Sequence, residues 1–208
     1  LLTDDGVIMI SIDDIELANL RLLMNEVFGE DNFIANLVWN SPEARDLKTA
    51  KENSNEHEYV LIYAKDKTNP NVFSNSKDIA TDELQRGWPF NTEQPTVIGA
   101  GIYTSDGMRE VEEIFGKRKF DFPKPSALIM YLLKYFTDKD SIVLDSFAGT
   151  GTTAQATLNL NRQDGGHRKY ILIELEDYAN DITAERIRRV SSASEVFSYA
   201  ELSDNRYR

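Results

Sequence analysis

Ser141-Ile-Val-Leu-Asp-Ser-Phe-Ala-Gly-Thr-Gly-Thr-Thr-Ala154 decides the fold. Ile142, Val143 and Leu144 form a short apolar run that ends on Asp145, which predicts a buried strand. Gly149 and Gly151 then place two residues without a Cβ between that strand and a helix opening at Thr152. Such a turn lets the backbone approach a ligand closely. The free N–H groups of the helix start add hydrogen-bond donors and a partial positive charge. The stretch therefore predicts a site for a nucleotide-like cofactor at the end of a strand.

Working outward, Phe120-Asp-Phe-Pro-Lys-Pro125 precedes the stretch. Pro125 suits a helix start, and Ile129, Leu132, Leu133 and Phe136 mark one apolar helical face. Downstream, the spacing predicts a helix to about Leu160, a loop over Asn161 to Arg168, and a strand Tyr170-Ile-Leu-Ile173 ending at Glu174. A charged helix follows from about Tyr178 to Val190, then a Ser-rich tail. Near the beginning, Gly6 to Ile12 reads as a strand and Ile15 to Phe28 as a helix stopped by Gly29. Phe33 to Trp39 and Tyr59 to Ala64 read as further strands. Asn40 to Glu56 reads as a polar loop carrying Arg45, Lys48 and Lys51. From Lys65 the pattern turns irregular and rich in turn chemistry. Strands alternating with helices predict a doubly wound, mostly parallel α/β sheet with its ligand at the carboxyl ends of the strands. The chain divides into residues 1–66 as one half of the sheet, 67–119 as an irregular insertion, 120–190 as the cofactor-binding half, and 191–208 as a tail.

The chain has 208 residues, 41% hydrophobic and 28% charged, enough for a sizeable core. It has no cysteine, which excludes disulfides, thiolate metal sites and cysteine nucleophiles; no metal site is expected. No apolar run approaches a membrane span and no signal peptide is visible, so a cytoplasmic location is expected. A net charge of −12 argues against a wholly basic nucleic-acid platform, so DNA affinity would need a local patch. Gly116-Lys-Arg-Lys119 is the densest basic run and the expected DNA-facing one. Trp88 and Phe90 are expected in a small satellite core, and His57 as a structural hydrogen-bonder. Beginning at Leu1-Leu2 without Met, the chain reads as part of something longer.

Three cofactors compete for the glycine turn. Gly149-Thr-Gly-Thr-Thr-Ala154 matches the dinucleotide pattern G-x-G-x-x-G/A, a weak signal by itself. Asp145 would set a negative charge against phosphates at the helix start, and Glu174 lies farther on than the about 20 positions that pattern expects. A phosphate-binding loop of the NTPase kind needs Lys before Ser/Thr, and Thr152 follows Gly151 directly. S-adenosylmethionine fits best: Asp145 suits its ammonium, Glu174 its ribose hydroxyls, and apolar side chains its adenine. Thr152 and Thr153 cap the helix or reach the cofactor carboxylate.

Asp145 to Thr153 resembles the cofactor loop of β-group amino DNA methyltransferases, which modify adenine N6 or cytosine N4. Phe120 to Pro125 resembles the Lys-Pro motif preceding that loop. Asp164-Gly-Gly-His-Arg-Lys-Tyr170 leading to Glu174 resembles the modification (Mod) subunits of type III restriction systems in particular. The resemblance covers about residues 1–65 and 120–190. It implies a Rossmann-like, S-adenosylmethionine-dependent methyltransferase fold in circularly permuted order. It further implies cofactor contacts from Phe122, Lys124, Pro125, Asp145, Phe147, Ala148, Gly149, Gly151, Thr152, Thr153 and Glu174. Residues 67–119 occupy the family's target-recognition position and are short for a type III enzyme. The family's catalytic motif, Asp-Pro-Pro-Tyr or a close variant, is absent and expected upstream of Leu1, so no catalytic residue is assigned. Expected partners are double-stranded DNA, a second copy of the chain and a restriction (Res) subunit; adenine N6 is favoured over cytosine N4 through the type III likeness. The alternatives are a truncated, non-catalytic cofactor-fold component and a nicotinamide-dependent oxidoreductase.

Overall fold

Alternating apolar positions place helices against both sides of a sheet. The computed structural model describes residues 1–40, 57–72 and 96–201. The elements run β1 (Val7–Ile12), α1 (Leu17–Phe28), β2 (Phe33–Asn40), β3 (His57–Ala64), β4 (Thr96–Ile98), α2 (Thr104–Phe115), α3 (Ser126–Phe136), β5 (Ile142–Asp145), α4 (Thr152–Asp164) and β6 (Lys169–Leu172). A 3-10 turn (Asp177–Ala179), a π turn (Asn180–Ala184) and α5 (Glu185–Val190) complete the fold. The stretch predicted as one helix from about Tyr178 is thus three consecutive helical geometries.

β1 to β4 form one sheet in the order β1-β3-β2-β4, and β5 and β6 form a parallel pair. The predicted α/β layering is present. β2–β4 and β5–β6 are parallel, while β3, lying between β1 and β2, runs antiparallel to both. On β3, Val60, Ile62 and Ala64 join a core cluster with Trp39 and with Leu128, Leu132 and Tyr135 of α3. The intervening Leu61 and Tyr63 meet Met24, Leu17 and Leu20 of α1. The period of two along a strand explains the division, and burial on both faces explains why β3 reads as a nearly continuous apolar run.

α3 is the joint between the two sheets. Leu128 and Leu132 pack on the larger sheet, whereas Leu133, with Ile129 and Met130, packs on Ala156 and Leu160 of α4 and on Val143 of β5. The Arg168 side chain ties the loop after α4 to the end of α3, donating to Thr137 Oγ1 at 2.8 Å and pairing with Asp164 at 2.9 Å.

The reading of residues 67–119 as irregular requires correction. β4 pairs with β2, and α2 carries a buried Val111. Turn-forming residues around Gly99 and Gly101 masked a helix whose start is marked by Tyr103 N–H donating to Asp106 Oδ2 at 2.8 Å. Gly107 lets α2 cross close to the Pro-Lys segment, since a Cβ there would lie 2.1 Å from Pro123 O. Arg45, Lys48, Lys51, Trp88 and Phe90 lie outside the described residues.

Candidate functional site

The glycine turn sits where β5 ends and α4 begins. Asp145 closes β5; its Oδ1 accepts the Phe147 N–H at 3.1 Å and its Oδ2 the Thr153 hydroxyl at 2.5 Å. The carboxylate is thereby held at the N-terminus of α4. Gly151, the N-cap, has φ of 79° and contributes no side-chain cap to the helix start. A Cβ on Gly151 would lie 3.0 Å from Thr183 O, so the left-handed conformation and the close approach both call for glycine.

Glu174, beyond the end of β6, braces the same loop from the other side. Its Oε2 accepts the Gly149 N–H at 2.7 Å, and its Oε1 accepts the N–H groups of Leu175 at 2.8 Å and Glu176 at 3.0 Å. The Ala148 N–H donates to Ile173 O at 3.1 Å, and Ile173 N–H to Asp145 O at 2.8 Å, stitching the two strand ends together. Burial, and then the charges of Glu174 and Glu176, push the Tyr178 hydroxyl pKa up beside this carboxylate. The π turn swings Thr183 onto the loop, where its hydroxyl donates to Gly149 O at 2.5 Å. Two apolar side chains flank the loop in solvent, Phe147 at 90% and Leu175 at 93% exposure.

The Lys-Pro motif joins this assembly through its backbone. Lys124 O accepts the Thr152 hydroxyl at 3.1 Å, while the Lys124 ammonium pairs with Glu58 of β3 at 2.6 Å. Pro125 is buried and serves as N-cap of α3. Phe122 is exposed and has a positive φ of 53°, rare for a non-glycine residue. The structure therefore brings together Lys124, Asp145, Ala148, Gly149, Gly151, Thr152, Thr153 and Glu174 by direct contacts. No described hydrogen bond ties Phe122 or the Phe147 ring to them.

Behind the loop lies a polar core that the sequence reading missed. Arg186 of α5 is fully buried. Its guanidinium donates to Gln155 Oε1 at 2.8 Å, Thr150 Oγ1 at 2.6 Å, Thr152 Oγ1 at 2.9 Å and Glu110 Oε2 at 3.0 Å. Desolvation lowers the Arg186 pKa to about 10 against the opposing pull of Glu110. Glu110 in turn accepts the Ser126 N–H at 3.1 Å and the Ser126 hydroxyl at 2.8 Å, so α2 caps the start of α3. One signal was available: Arg186 falls four positions after the apolar Ile182, on the inward side of its helix.

Elsewhere, His57 Nε2 lies 3.0 Å from the Tyr59 hydroxyl. In the basic run, Arg118 pairs with Asp121 at 2.6 Å and Lys119 stands 5.9 Å from the Phe115 ring centre.

A glycine loop at the carboxyl end of a parallel strand, braced by two strand-end acids, defines an α/β protein of the cofactor-binding, Rossmann-like class. The sequence model of the DNA methylase family, the N6/N4 methyltransferases, matches residues 1–185, and the chain belongs to that family. It is 28% identical to the Mod subunit of the type III restriction-modification enzyme StyLTI of Salmonella typhimurium, covering 98% of this chain and 45% of that protein. It is also 28% identical to the type II methyltransferase M.KpnI of Klebsiella pneumoniae, covering 97% of this chain and 73% of that one. The Mod subunit of EcoPI from Escherichia phage P1 is 29% identical over 95% of this chain and 49% of its own length. The chain thus spans about half the length of these Mod subunits. Among solved structures, the M1.HpyAVI–SAM complex superposes with a TM-score of 0.58 at 22% identity, over 89% of this chain and 76% of that one. The PvuII DNA methyltransferase (cytosine-N4-specific) gives 0.57 at 17% identity, over 94% and 67%. These likenesses show the shared fold.

Proposed function

We propose that the protein binds S-adenosylmethionine at the loop of residues 145–153 and transfers its methyl group to an exocyclic amino group in double-stranded DNA. The observation that carries this reading is the position of the Asp145 carboxylate at the start of α4, bonded to Thr153. A pyrophosphate would meet that negative charge head on, whereas an ammonium would pair with it. Each Asp145 oxygen accepts one protein hydrogen bond, which leaves acceptor capacity for the ligand. First-turn N–H groups at Thr152 and Thr153 face the ligand carboxylate. Glu174 orders the loop through Gly149 and receives the ribose, and the bared rings and chains of Phe147 and Leu175 offer apolar surface to the adenine.

When bound, the cofactor supplies an electrophilic methyl on its sulfonium. The residues described here hold that donor, and the Asp-Pro-Pro-Tyr type of motif that would hold the acceptor amine and the flipped base is not found in these 208 residues. Catalysis is then mainly alignment of amine and methyl.

The matches to two Mod subunits of type III restriction-modification enzymes support a modification subunit of such a system; adenine N6 as acceptor, a Res partner, a homodimer and a cytoplasmic location complete the proposal. Among the described residues no helix is long and apolar enough to cross a membrane. The StyLTI alignment extends over 297 residues although this chain has 208; the relative carries added internal segments, in keeping with a small recognition region here. A second reading, a self-standing type II methyltransferase, is favoured by the larger share of M.KpnI that the chain covers.

Calorimetric titration with S-adenosylmethionine, its demethylated product and NADH tests the cofactor. Heat from the first two and none from NADH is expected, and the reverse would overturn the reading. Methyl transfer by the full protein to unmodified DNA, followed by nucleoside analysis, should yield N6-methyladenine. Transfer without any companion subunit that depends on it for stability would favour the type II reading.

A further inference from the structure

We propose that Arg186 is a positioning residue for the cofactor loop, acting with Glu110 as a clamp that sets the Thr150–Thr152 turn before any ligand arrives. The inference rests on the assignment of that loop to S-adenosylmethionine.

The bonding pattern is specific. The two Nη1 bonds run to the hydroxyls of Thr150 and Thr152, residues on either side of the left-handed Gly151. The Thr152 hydroxyl in turn donates to Lys124 O, and the Thr150 and Thr152 hydroxyl oxygens lie 3.1 Å apart. Nη2 reaches Glu110 of α2, which is anchored on Ser126 at the start of α3. Nε reaches Gln155, one turn into α4. One planar, always-charged fork therefore fixes the glycine turn relative to α2, α3 and α4, with directions a lysine cannot reproduce. The clamp does not engage Asp145: Arg186 is fully buried, while the partly exposed Asp145 carboxylate bonds Phe147 and Thr153. Preset geometry of this kind lowers the ordering cost that ligand binding would otherwise carry.

The test compares Arg186→Gln, Arg186→Lys and Thr150→Val in the full protein by two measurements. Hydrogen exchange without ligand should accelerate at least tenfold over residues 146–156 in Arg186→Gln and about threefold in Thr150→Val, with β1 and β3 unchanged. S-adenosylmethionine affinity should fall at least tenfold in Arg186→Gln, and Arg186→Lys, which keeps the charge against Glu110, should recover part of it. Unchanged loop exchange, or acceleration spread evenly over β1 and β3, would overturn the clamp. Equal cofactor affinity in wild type and variants, within twofold, would overturn it as well while leaving the cofactor assignment intact. If wild type shows no affinity for S-adenosylmethionine, the cofactor assignment fails and the exchange data alone decide the clamp. Should Arg186→Gln not fold, Thr150→Val decides, because it removes only the two contacts of the Thr150 hydroxyl, to Arg186 and Thr152, and leaves the Arg186–Glu110 pair in place.

Discussion

Asp145 orders the loop through Phe147 and Thr153, and in the proposed function it also offers its charge to a ligand. Asp145→Asn separates the two roles, because its oxygen still accepts the Phe147 N–H and its amide donates to the Thr153 hydroxyl, while the charge is removed. A lost charge-assisted hydrogen bond is worth about 1.5–3 kcal/mol, so S-adenosylmethionine should bind roughly 10- to 100-fold more weakly, with the melting temperature little changed. Unchanged affinity in a titration would show that Asp145 is only a turn former. Gly151→Ala tests the backbone. Its φ of 79° and the 3.0 Å approach of a Cβ to Thr183 O predict a loss of about 1–2 kcal/mol from the left-handed conformation alone, plus the cost of displacing the π turn. Urea denaturation would measure it, and a stability equal to wild type would contradict the assigned geometry.

At the scale of elements, α3 and the segment after α5 make separable predictions. Leu133 is buried between α3 and α4, so Leu133→Ala should cost about 2–5 kcal/mol in denaturant unfolding; a loss below 1 kcal/mol would mean the two sheets do not depend on this joint. Residues 191–201 are pinned to α4 by Arg162, whose guanidinium meets the Glu195 carboxylate. That hydrogen-bonded pairing holds the Glu195 pKa at about 2, against 4.5 for an ordinary Glu. Because the folded pKa is the lower one, the stabilisation is complete above pH 4.5 and fades as pH falls toward 2. The melting temperature of wild type should exceed that of Glu195→Gln above about pH 5, with the gap closing in more acid solution; a gap independent of pH would remove the ion pair from the account. Legibility also varied by element. The strands β1, β2, β3 and β5 and the helices α1, α3 and α4 follow from runs and periodicities within each segment. α2 escaped because its one helical face is interrupted by Gly107, which is present for close passage against Pro123, a contact between separate segments.

For the whole molecule, the charge of −12 limits DNA affinity to local patches, and the run Lys117 to Lys119 is the candidate. Arg118 is engaged with Asp121, which leaves Lys117 and Lys119 as the expected phosphate contacts. If both neutralise phosphates, Lys117→Ala/Lys119→Ala should reduce the slope of log affinity against log salt by about 2; an unchanged slope would place DNA on another face.

The sequence by itself determined the glycine loop, its two acids and the order of strands and helices around it. Those features are written in glycines, prolines and apolar spacing within a dozen or so residues, where local sterics and periodicity act. Tertiary structure alone decided that the Lys124 ammonium turns to Glu58 while its carbonyl serves the loop, that a π turn delivers Thr183 to Gly149, and that Arg186 reaches Glu110 across 76 positions. A buried charge must find its partner wherever the fold brings one near, and no local pattern records that distance.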